Sequence, residues 1–267
     1  MRLPYGVDVG IPSVARMYDS LLGGRDNYPA DRAACEELLR HVPSMRELAL
    51  NNREFLRRVV HVLAAKYGIR QFIDHGSGLP TLDNVHEIAQ RVDPSSRVVY
   101  IDNDPIVRAI GGVLLASNEN TAVLQADMRD TDEIFASEPV ERLIDRNEPV
   151  AALFVSVLHC IPDRDRPTEL IARVADRLPD GSMMVVCQLV SDSAQIRDAV
   201  SRFMDEQTQG HWGRVREKKD VAGFCAPLDV IQPGLVEVST WQPRHDDVPT
   251  QLSWEWEEYG GVGFVRR

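Results

Sequence analysis

Phe72-Ile-Asp-His-Gly-Ser-Gly-Leu-Pro-Thr81 is the segment that decides the fold of this chain. It starts with apolar residues, as expected of a buried strand, and then turns at two glycines, which take backbone dihedrals that other residues avoid. A second apolar run that ends in carboxylates follows at Val98-Val-Tyr-Ile-Asp102-Asn-Asp104-Pro105. A strand, a glycine-rich turn, a helix and a second strand with a terminal acid together predict an α/β protein that binds an adenosine-bearing cofactor.

The composition of the chain limits the function classes. Its 267 residues, 43% of them hydrophobic, are enough to bury one large core. No apolar run is long enough to span a bilayer and the N-terminus lacks the apolar core of a signal peptide, so we expect a cytoplasmic protein with no membrane partner. The net charge of −11 would repel phosphates, which argues against a nucleic-acid partner. The cysteines are scattered and form no Cys/His cluster with metal-ligand spacing, so we expect no metal site.

The pattern of apolar residues indicates a single domain with four regions. We expect helices in residues 1–70, alternating strands and helices over 71–190, a helical insertion over 191–227, and two strands within 228–267. The alternation in the second region predicts a mostly parallel, doubly wound sheet with helices on both faces.

Individual elements follow from apolar runs and from helix start and stop signals. Strands are expected at residues 71–74, 97–102, 122–125, 151–157, 182–189, 228–238 and 261–267. Helices are expected at residues 30–40, 80–92, 105–116, 132–145, 166–178, 191–207 and 220–226. In the first region, Ser13 is expected to cap a helix that ends at Gly23-Gly24, and Ser44 with Glu47 predicts a capping box at a later helix.

The glycine turn offers what an adenosine cofactor with a charged tail requires. Gly76 and Gly78 allow close approach of the backbone, and a helix that begins near Pro80 would present free N–H groups and a partial positive charge. The carboxylate of Asp102 can accept hydrogen bonds from both ribose hydroxyls. Asp104 either shares that contact or caps the helix that starts at Pro105, and the cap is favoured.

Two cofactor classes, dinucleotides and S-adenosylmethionine, fit this skeleton. A dinucleotide site normally has a third glycine in its GxGxxG run, and that glycine is missing here. Proline in the first helical turn would also remove one N–H that could meet a phosphate. The run Asp74-His-Gly-Ser-Gly-Leu-Pro80 is closer to the D-x-G-x-G-x-(G/P) pattern of class I methyltransferases.

The third and fourth strands end in residues that suit the same cofactor. Asp127 can meet the adenine amino group while the Met128 thioether packs on the ring. The alternative is a loop carboxylate and an ordinary core methionine, and the adenine contact is favoured. Phe154-Val-Ser-Val-Leu-His-Cys-Ile-Pro-Asp163 resembles the segment that many class I methyltransferases place beside the cofactor. His159 in this segment either acts as a catalytic base or orients the loop, and His211 is the second candidate base.

These segments resemble the actinobacterial S-adenosyl-L-methionine-dependent methyltransferase-like family DUF574. The match rests on the two segments quoted first, on Pro233-Gly-Leu-Val236, and above all on a segment that generic methyltransferases lack: Ile11-Pro-Ser-Val-Ala-Arg-Met-Tyr-Asp-Ser-Leu-Leu-Gly-Gly-Arg-Asp-Asn-Tyr-Pro-Ala-Asp31. The resemblance implies the Rossmann-like class I fold, a seven-stranded, mostly parallel sheet with an antiparallel last strand and an N-terminal helical extension.

The resemblance also implies a function. We expect transfer of the sulfonium methyl group of S-adenosyl-L-methionine (SAM) to an O, N or C atom of a small molecule, with S-adenosyl-L-homocysteine (SAH) as product. The candidate cofactor-binding residues are Tyr18, Gly23, Arg25, Asn27, His75, Gly76, Ser77, Gly78, Asp102, Asn103, Asp127, Met128 and Ser156.

Alternatives remain at this stage. The segment Tyr18 to Tyr28 is either a lid that folds over the cofactor or part of a helix pair packed on the sheet. The protein could bind SAM without transferring a methyl group. An NAD-dependent oxidoreductase is disfavoured by the missing third glycine and by the lack of a Tyr-xxx-Lys pair.

Overall fold

The computed structural model describes residues 7–81, 83–115, 118–243 and 256–267, and these contain one mixed sheet and its helices. Its sheet contains β1 (Gln71–His75), β2 (Arg97–Asp102), β3 (Thr121–Gln125), β4 (Val150–Val155), β5 (Met183–Val190), β6 (Leu228–Val230), β7 (Val236–Glu237) and β8 (Glu257–Val265). The strand order is β3-β2-β1-β4-β5-β8-β6, and β7 pairs with β8. The first five strands are parallel and β8 runs antiparallel to β5, so the predicted topology is confirmed.

Two predicted strands differ from the structure by more than two residues. The strand expected over 228–238 is two short strands, β6 and β7, because the chain turns at Pro233-Gly234, where Gly234 has φ +98. This division gives eight described strands rather than seven. The last strand begins at Glu257 rather than at residue 261, and its register places Glu258 opposite Leu189 of β5.

Three helices precede the sheet: α1 (Val14–Leu21), α2 (Pro29–His41) and α3 (Met45–Lys66). The caps expected at Ser13 and Ser44 do not form, since neither side chain makes a capping hydrogen bond. Ser13 Oγ donates instead to Asp104 Oδ2 at 2.5 Å, a contact across 91 residues of sequence that the local pattern could not reveal.

The remaining helices are α4 (Val85–Val92), α5 (Pro105–Leu114), α6 (Thr131–Phe135), α7 (Glu138–Leu143), α8 (Pro167–Arg177), α9 (Ala194–Gln207) and α10 (Lys218–Phe224). The helix predicted over 132–145 is split in two, because Pro139 occupies the first turn of α7 and cannot continue α6. The predicted end of α5 at Ala116 lies outside the described residues. No described helix combines the length and the hydropathy that a transmembrane span requires.

The core has two layers, one on each face of the sheet, and β1 and β5 are buried along their whole length. A third apolar cluster joins α1, α2 and the start of α3 to α9 and to Leu189, Trp212 and Trp256. The N-terminal helices and α9 therefore pack together beyond the carboxyl ends of the parallel strands, where ligands bind in sheets of this kind.

Candidate active site

A cavity of about 700 Å³ lies at the carboxyl ends of β1 to β4, beneath α1, α3 and α9. Ten of the candidate residues line it: Tyr18, Gly76, Ser77, Gly78, Asp102, Asn103, Asp127, Met128, Ser156 and His159. Residues from five separate segments of the sequence therefore meet at one concave surface.

The glycine turn between β1 and α4 forms the floor of the cavity. Gly76 has φ +71 and Gly78 has φ +66, a region in which side chains are strained. A Cβ on Gly76 would lie 2.2 Å from Val157 Cγ2, so the turn and the loop after β4 approach more closely than any other residue would permit. Ser77 Oγ is buried and has no hydrogen-bond partner among the described residues, which leaves a polar atom at the turn available to a ligand.

Asp102, at the end of β2, is fixed by the same turn. Its Oδ2 accepts from Gly78 N at 2.8 Å and its Oδ1 from Asp104 N at 2.9 Å. Burial raises the pKa of Asp102 to about 6, against the opposing effect of these backbone donors. The neighbouring Asp104 Oδ1 accepts from Ile106 N at 2.8 Å, which confirms Asp104 as the cap of α5.

Asp127 and Met128 follow β3 at the far side of the cavity. Both Asp127 oxygens already accept from the Arg129 guanidinium, at 2.9 and 2.5 Å. Burial would raise the pKa of Asp127, but the Arg129 hydrogen bonds outweigh it and hold the pKa below its usual value. The carboxylate is therefore ionised and oriented. Its Oδ1 also accepts from Arg129 N at 2.9 Å, so Oδ2 is the oxygen that keeps a lone pair for another donor.

The loop after β4 carries two polar side chains into the cavity wall. Ser156 has φ +55, unusual for a residue with a side chain, and its hydroxyl donates to Glu258 Oε1 on β8. His159 is buried with its ring centroid 4.6 Å from that of Trp212, and its Nδ1 has no partner among the described residues. A Cβ on Gly213 would lie 2.5 Å from Ile161 O, so this glycine lets the Trp212 loop approach the loop that carries His159.

Beyond β4 the cavity is lined by apolar side chains. This apolar compartment consists of Met17, Leu21, Leu38, Met45, Leu56, Leu189, Val200, Met204, Trp212 and Trp256. The cavity thus has a polar part over β3, β2 and β1 and an apolar part under the helices, and β4 separates the two.

Comparison with known proteins accords with this geometry. A family model described as S-adenosyl methyltransferase matches residues 2–266. The chain belongs to the S-adenosyl methyltransferase family. A search of curated proteins returns no significant match.

Two solved structures resemble this S-adenosyl methyltransferase over nearly their whole length, and a third shares only its fold. A putative methyltransferase from Thermobifida fusca is 36% identical, with a TM-score of 0.90 over 99% of this chain and 98% of that one. A DUF574 family protein from Streptomyces avermitilis is 34% identical, with a TM-score of 0.89 over 97% and 99% of the two chains. Human N-acetylserotonin methyltransferase, solved in complex with SAM, is only 13% identical, with a TM-score of 0.50 over 97% of this chain and 64% of that one, and so shows the class I methyltransferase fold alone. The protein is a SAM-dependent methyltransferase by family and by fold.

Four candidate residues of this methyltransferase lie outside the cavity lining. His75 points into the core, where it stacks on Phe154 with ring centroids 4.3 Å apart, and burial lowers its pKa to about 4. Gly23 and Arg25 are exposed, and Asn27 Nδ2 donates to Asp19 Oδ2 at 2.8 Å, which ties the loop to α1. His75 was proposed from its place in the glycine turn, and the other three from the family resemblance of the segment Tyr18 to Tyr28. The direction of each backbone segment carries all four away from the cavity.

The N-terminus of α4 also differs from its predicted role. The helix begins at Val85 rather than near Pro80, and Asn84 and Glu87 close its first turn as a capping box. Asn84 N donates to Glu87 Oε2 at 2.6 Å, so the helix end is satisfied by its own side chains. The helix therefore does not supply the free N–H groups that were expected near Pro80.

Arg53 of α3 provides a cation that the sequence motifs did not indicate. It lines the cavity together with Asp74 and Asn52, and its Nη2 donates to Asp83 O at 2.8 Å. Burial raises the pKa of Asp74 to about 7, and the positive charge of Arg53 opposes that rise. Nearby, Asn52 Nδ2 donates to Tyr18 Oη at 3.0 Å, which holds the ring that α1 contributes to the cavity. No local motif marks Arg53, because the long helix α3 brings it to the glycine turn.

Proposed function

We propose that this methyltransferase binds SAM in the polar part of the cavity and transfers the sulfonium methyl group to an O, N or C atom of a small, largely apolar molecule, releasing SAH. The observation that carries the proposal is the division of one cavity into a polar part at the glycine turn and an apolar compartment beyond β4. SAM, when bound, supplies an electrophilic methyl group, so the residues mainly need to align the two reactants and exclude water.

The polar part offers a partner for each section of the cofactor, in the order of the strands. Asp127 and Met128 after β3 suit adenine, and Asp102 after β2 suits the ribose hydroxyls. The turn after β1 then takes the methionine section. There, Arg53 pairs with the carboxylate and Asp74 with the ammonium group, which favours the ionised form of Asp74.

The apolar compartment defines the acceptor by its chemistry. Its side chains are almost fully buried, and it contains two tryptophans, so a charged acceptor would lose its hydration without compensation. His159 Nδ1 and Trp212 Nε1 have no hydrogen-bond partner among the described residues and supply hydrogen-bonding atoms at its border. Burial lowers the pKa of His159 to about 3, so the imidazole is neutral at pH 7 and orients a hydroxyl or amine by hydrogen bonding. His211 also lines the cavity and keeps its place as the second candidate base.

The N-terminal residues that line the cavity are also part of this proposal. Residues 11–18 line the cavity directly, and the Ser13 hydroxyl anchors them to Asp104 beside Asp102. We assign the function of a lid to this stretch rather than to the exposed loop at Gly23 and Arg25. A cytoplasmic location and the absence of a nucleic-acid partner stay predictions of the sequence.

A thermal-shift comparison tests the cofactor assignment. SAH at 100 times its Kd should stabilise the fold by roughly 2.7 kcal/mol, or about 5–10 °C in Tm for a domain of this size, whereas NAD should give no shift. A shift with NAD and none with SAH would reverse the assignment and favour an oxidoreductase. SAH binding with no methylated product from any apolar acceptor would favour a binding protein without transfer activity.

Arg53→Met sharpens the same test. Loss of a charge-assisted contact should weaken SAH binding roughly 10- to 100-fold by calorimetry. Arg57→Met is the matched control, because Arg57 lies on the same helix but pairs with Glu54 and Asp83 and does not line the cavity. Equal affinities of the two variants for SAH would remove Arg53 from the site.

A further inference from the structure

Glu258 is a buried carboxyl in direct contact with a residue of the cavity wall. It lies on β8 at 1% exposure, and its Oε1 accepts from the Ser156 hydroxyl. Its Oε2 is buried and has no hydrogen-bond partner among the described residues. The 102 residues between Ser156 and Glu258 hide this pairing from the sequence.

Ser156 places this pair of residues between the two parts of the cavity. Ser156 follows β4, the strand that separates the polar part of the cavity from the apolar compartment. With adenine at β3, ribose at β2 and methionine at β1, the methionine end of the cofactor is the section nearest to β4. A methyl group that passes from cofactor to acceptor therefore crosses beside the Ser156 hydroxyl.

Among the described residues, Glu258 has no counter-ion. Tyr18 of α1, Cys187 of β5 and Glu237 of β7 are the titratable groups that interact with it, and none of them is a cation. In the part of the chain that the structure describes, no Lys, Arg or His forms an ion pair with Glu258. Burial raises its pKa to about 8, while the Ser156 hydroxyl opposes that rise. A carboxyl in this setting gains a proton easily and ionises when a cation arrives nearby.

We propose that Glu258, acting through the Ser156 hydroxyl, is the proton acceptor of the methyl transfer. The inference rests on the proposed function. As the acceptor oxygen or nitrogen bonds to the methyl carbon, the methyl–sulfur bond breaks and the sulfur keeps the electron pair as the neutral thioether of SAH. The acceptor's proton passes to Ser156 Oγ while the Ser156 proton passes to Glu258, so the positive charge of the sulfonium and the negative charge of the carboxylate disappear together.

The same pair explains why a buried carboxyl suits this position better than His159. The conjugate acid of His159 has its pKa lowered to about 3 by burial and by the charge of Arg216, so it would hold a transferred proton poorly at pH 7. Glu258 acts through Ser156, because Ser156 lines the cavity and Glu258 does not. Its ionisation changes the number of protons released when a ligand binds, and a purely structural residue would not change that number.

Calorimetry in buffers of different ionisation enthalpy tests the inference without an acceptor. Binding of SAM at pH 7 places a sulfonium charge near Ser156 and should release a large fraction of one proton from Glu258, more than binding of SAH, which lacks that charge. In Glu258→Gln this difference between SAM and SAH should vanish. The SAM affinity of the wild type should also rise between pH 6 and pH 9, and that of Glu258→Gln should rise less.

Two control variants decide between neighbouring carboxyls. Glu237→Gln removes a half-buried acid that does not line the cavity. It should keep a difference in proton release, reduced only as far as the loss of the Glu237 charge lowers the pKa of Glu258. Asp74→Asn removes a cavity acid that faces the ammonium group present in both ligands, and it should also keep the difference. A difference that persists in Glu258→Gln, or that is absent in the wild type, would overturn the inference. Failure of both SAM and SAH to bind would instead overturn the proposed function, and the inference with it.

Discussion

Gly76→Ala should destabilise this methyltransferase far more than the same change at Gly78. Both glycines have positive φ, +71 and +66, so alanine at either position incurs about 1 kcal/mol of backbone strain. Only at position 76 would the new Cβ overlap Val157 Cγ2, at 2.2 Å, whereas position 78 has no atom within 4 Å. Val157 is branched at Cβ and buried, so it cannot turn away easily, and such overpacking costs roughly 1–3 kcal/mol. We therefore expect losses of about 2–4 kcal/mol for Gly76→Ala and about 1 kcal/mol for Gly78→Ala.

Urea unfolding followed by circular dichroism measures both losses, provided that the denaturant dependence m stays unchanged. The overlap between position 76 and Val157 also predicts that substitutions at these two positions are not additive. Val157→Ala removes the overlapping methyl group, so the double variant Gly76→Ala/Val157→Ala should be more stable than the sum of the single changes by at least about 1 kcal/mol. Equal losses at the two glycines, or strict additivity in the double variant, would show that the turn and the loop after β4 are not in contact.

Three further predictions concern other parts of the site. Arg16→Met should cost about 3–5 kcal/mol in urea unfolding, because Asp31, 0% exposed, would lose the guanidinium that contacts it at 3.0 Å; a loss below 1 kcal/mol would contradict this. Asp104→Ala should cost about 1 kcal/mol through loss of the α5 cap while Asp104→Asn keeps most of the stability, and indistinguishable variants would argue against the cap. Glu258 has its pKa raised from 4.5 to about 8, so it stabilises the folded state below pH 4.5 and loses that contribution as pH rises through 8. Glu258→Gln, which cannot ionise, should therefore gain stability relative to wild type by up to about 1.4 kcal/mol per pH unit over this window, and a flat difference in unfolding free energy would refute the assigned ionisation.

Much of the fold could be predicted because the responsible signals are local. The apolar runs of β1, β2, β4 and β5 lie within one or two residues of their expected bounds. The predicted helix bounds were wrong where a nearby side chain capped the helix or a proline interrupted it. Asn84 and Glu87 cap α4 at Val85, so the helix cannot start at Pro80, and Pro139 divides the predicted helix over 132–145.

The sequence predicted those residues of the candidate site that directly follow a strand. Asp102, Asp127 and Ser156 stand at carboxyl ends of parallel strands, which meet at one edge of any such sheet, and all three line the cavity. His75 was proposed from its place in the glycine turn and Arg25 from the family resemblance of its segment, and the structure places both away from the cavity. A strand alternates its side chains between two faces, so one residue beyond Asp74 already points into the core.

The sequence by itself determined the parallel sheet, the glycine turn and the preference for SAM over a dinucleotide, because strand periodicity and glycine dihedrals depend on a few adjacent residues. Only the tertiary structure decided which charged side chains lie at the cavity. Arg53 comes to the glycine turn on α3, and Glu258 reaches Ser156 on an antiparallel strand 102 residues away. Such pairs arise from packing between distant segments, so no local pattern encodes them, and in this methyltransferase they bring Arg53 and Ser156 to one cavity.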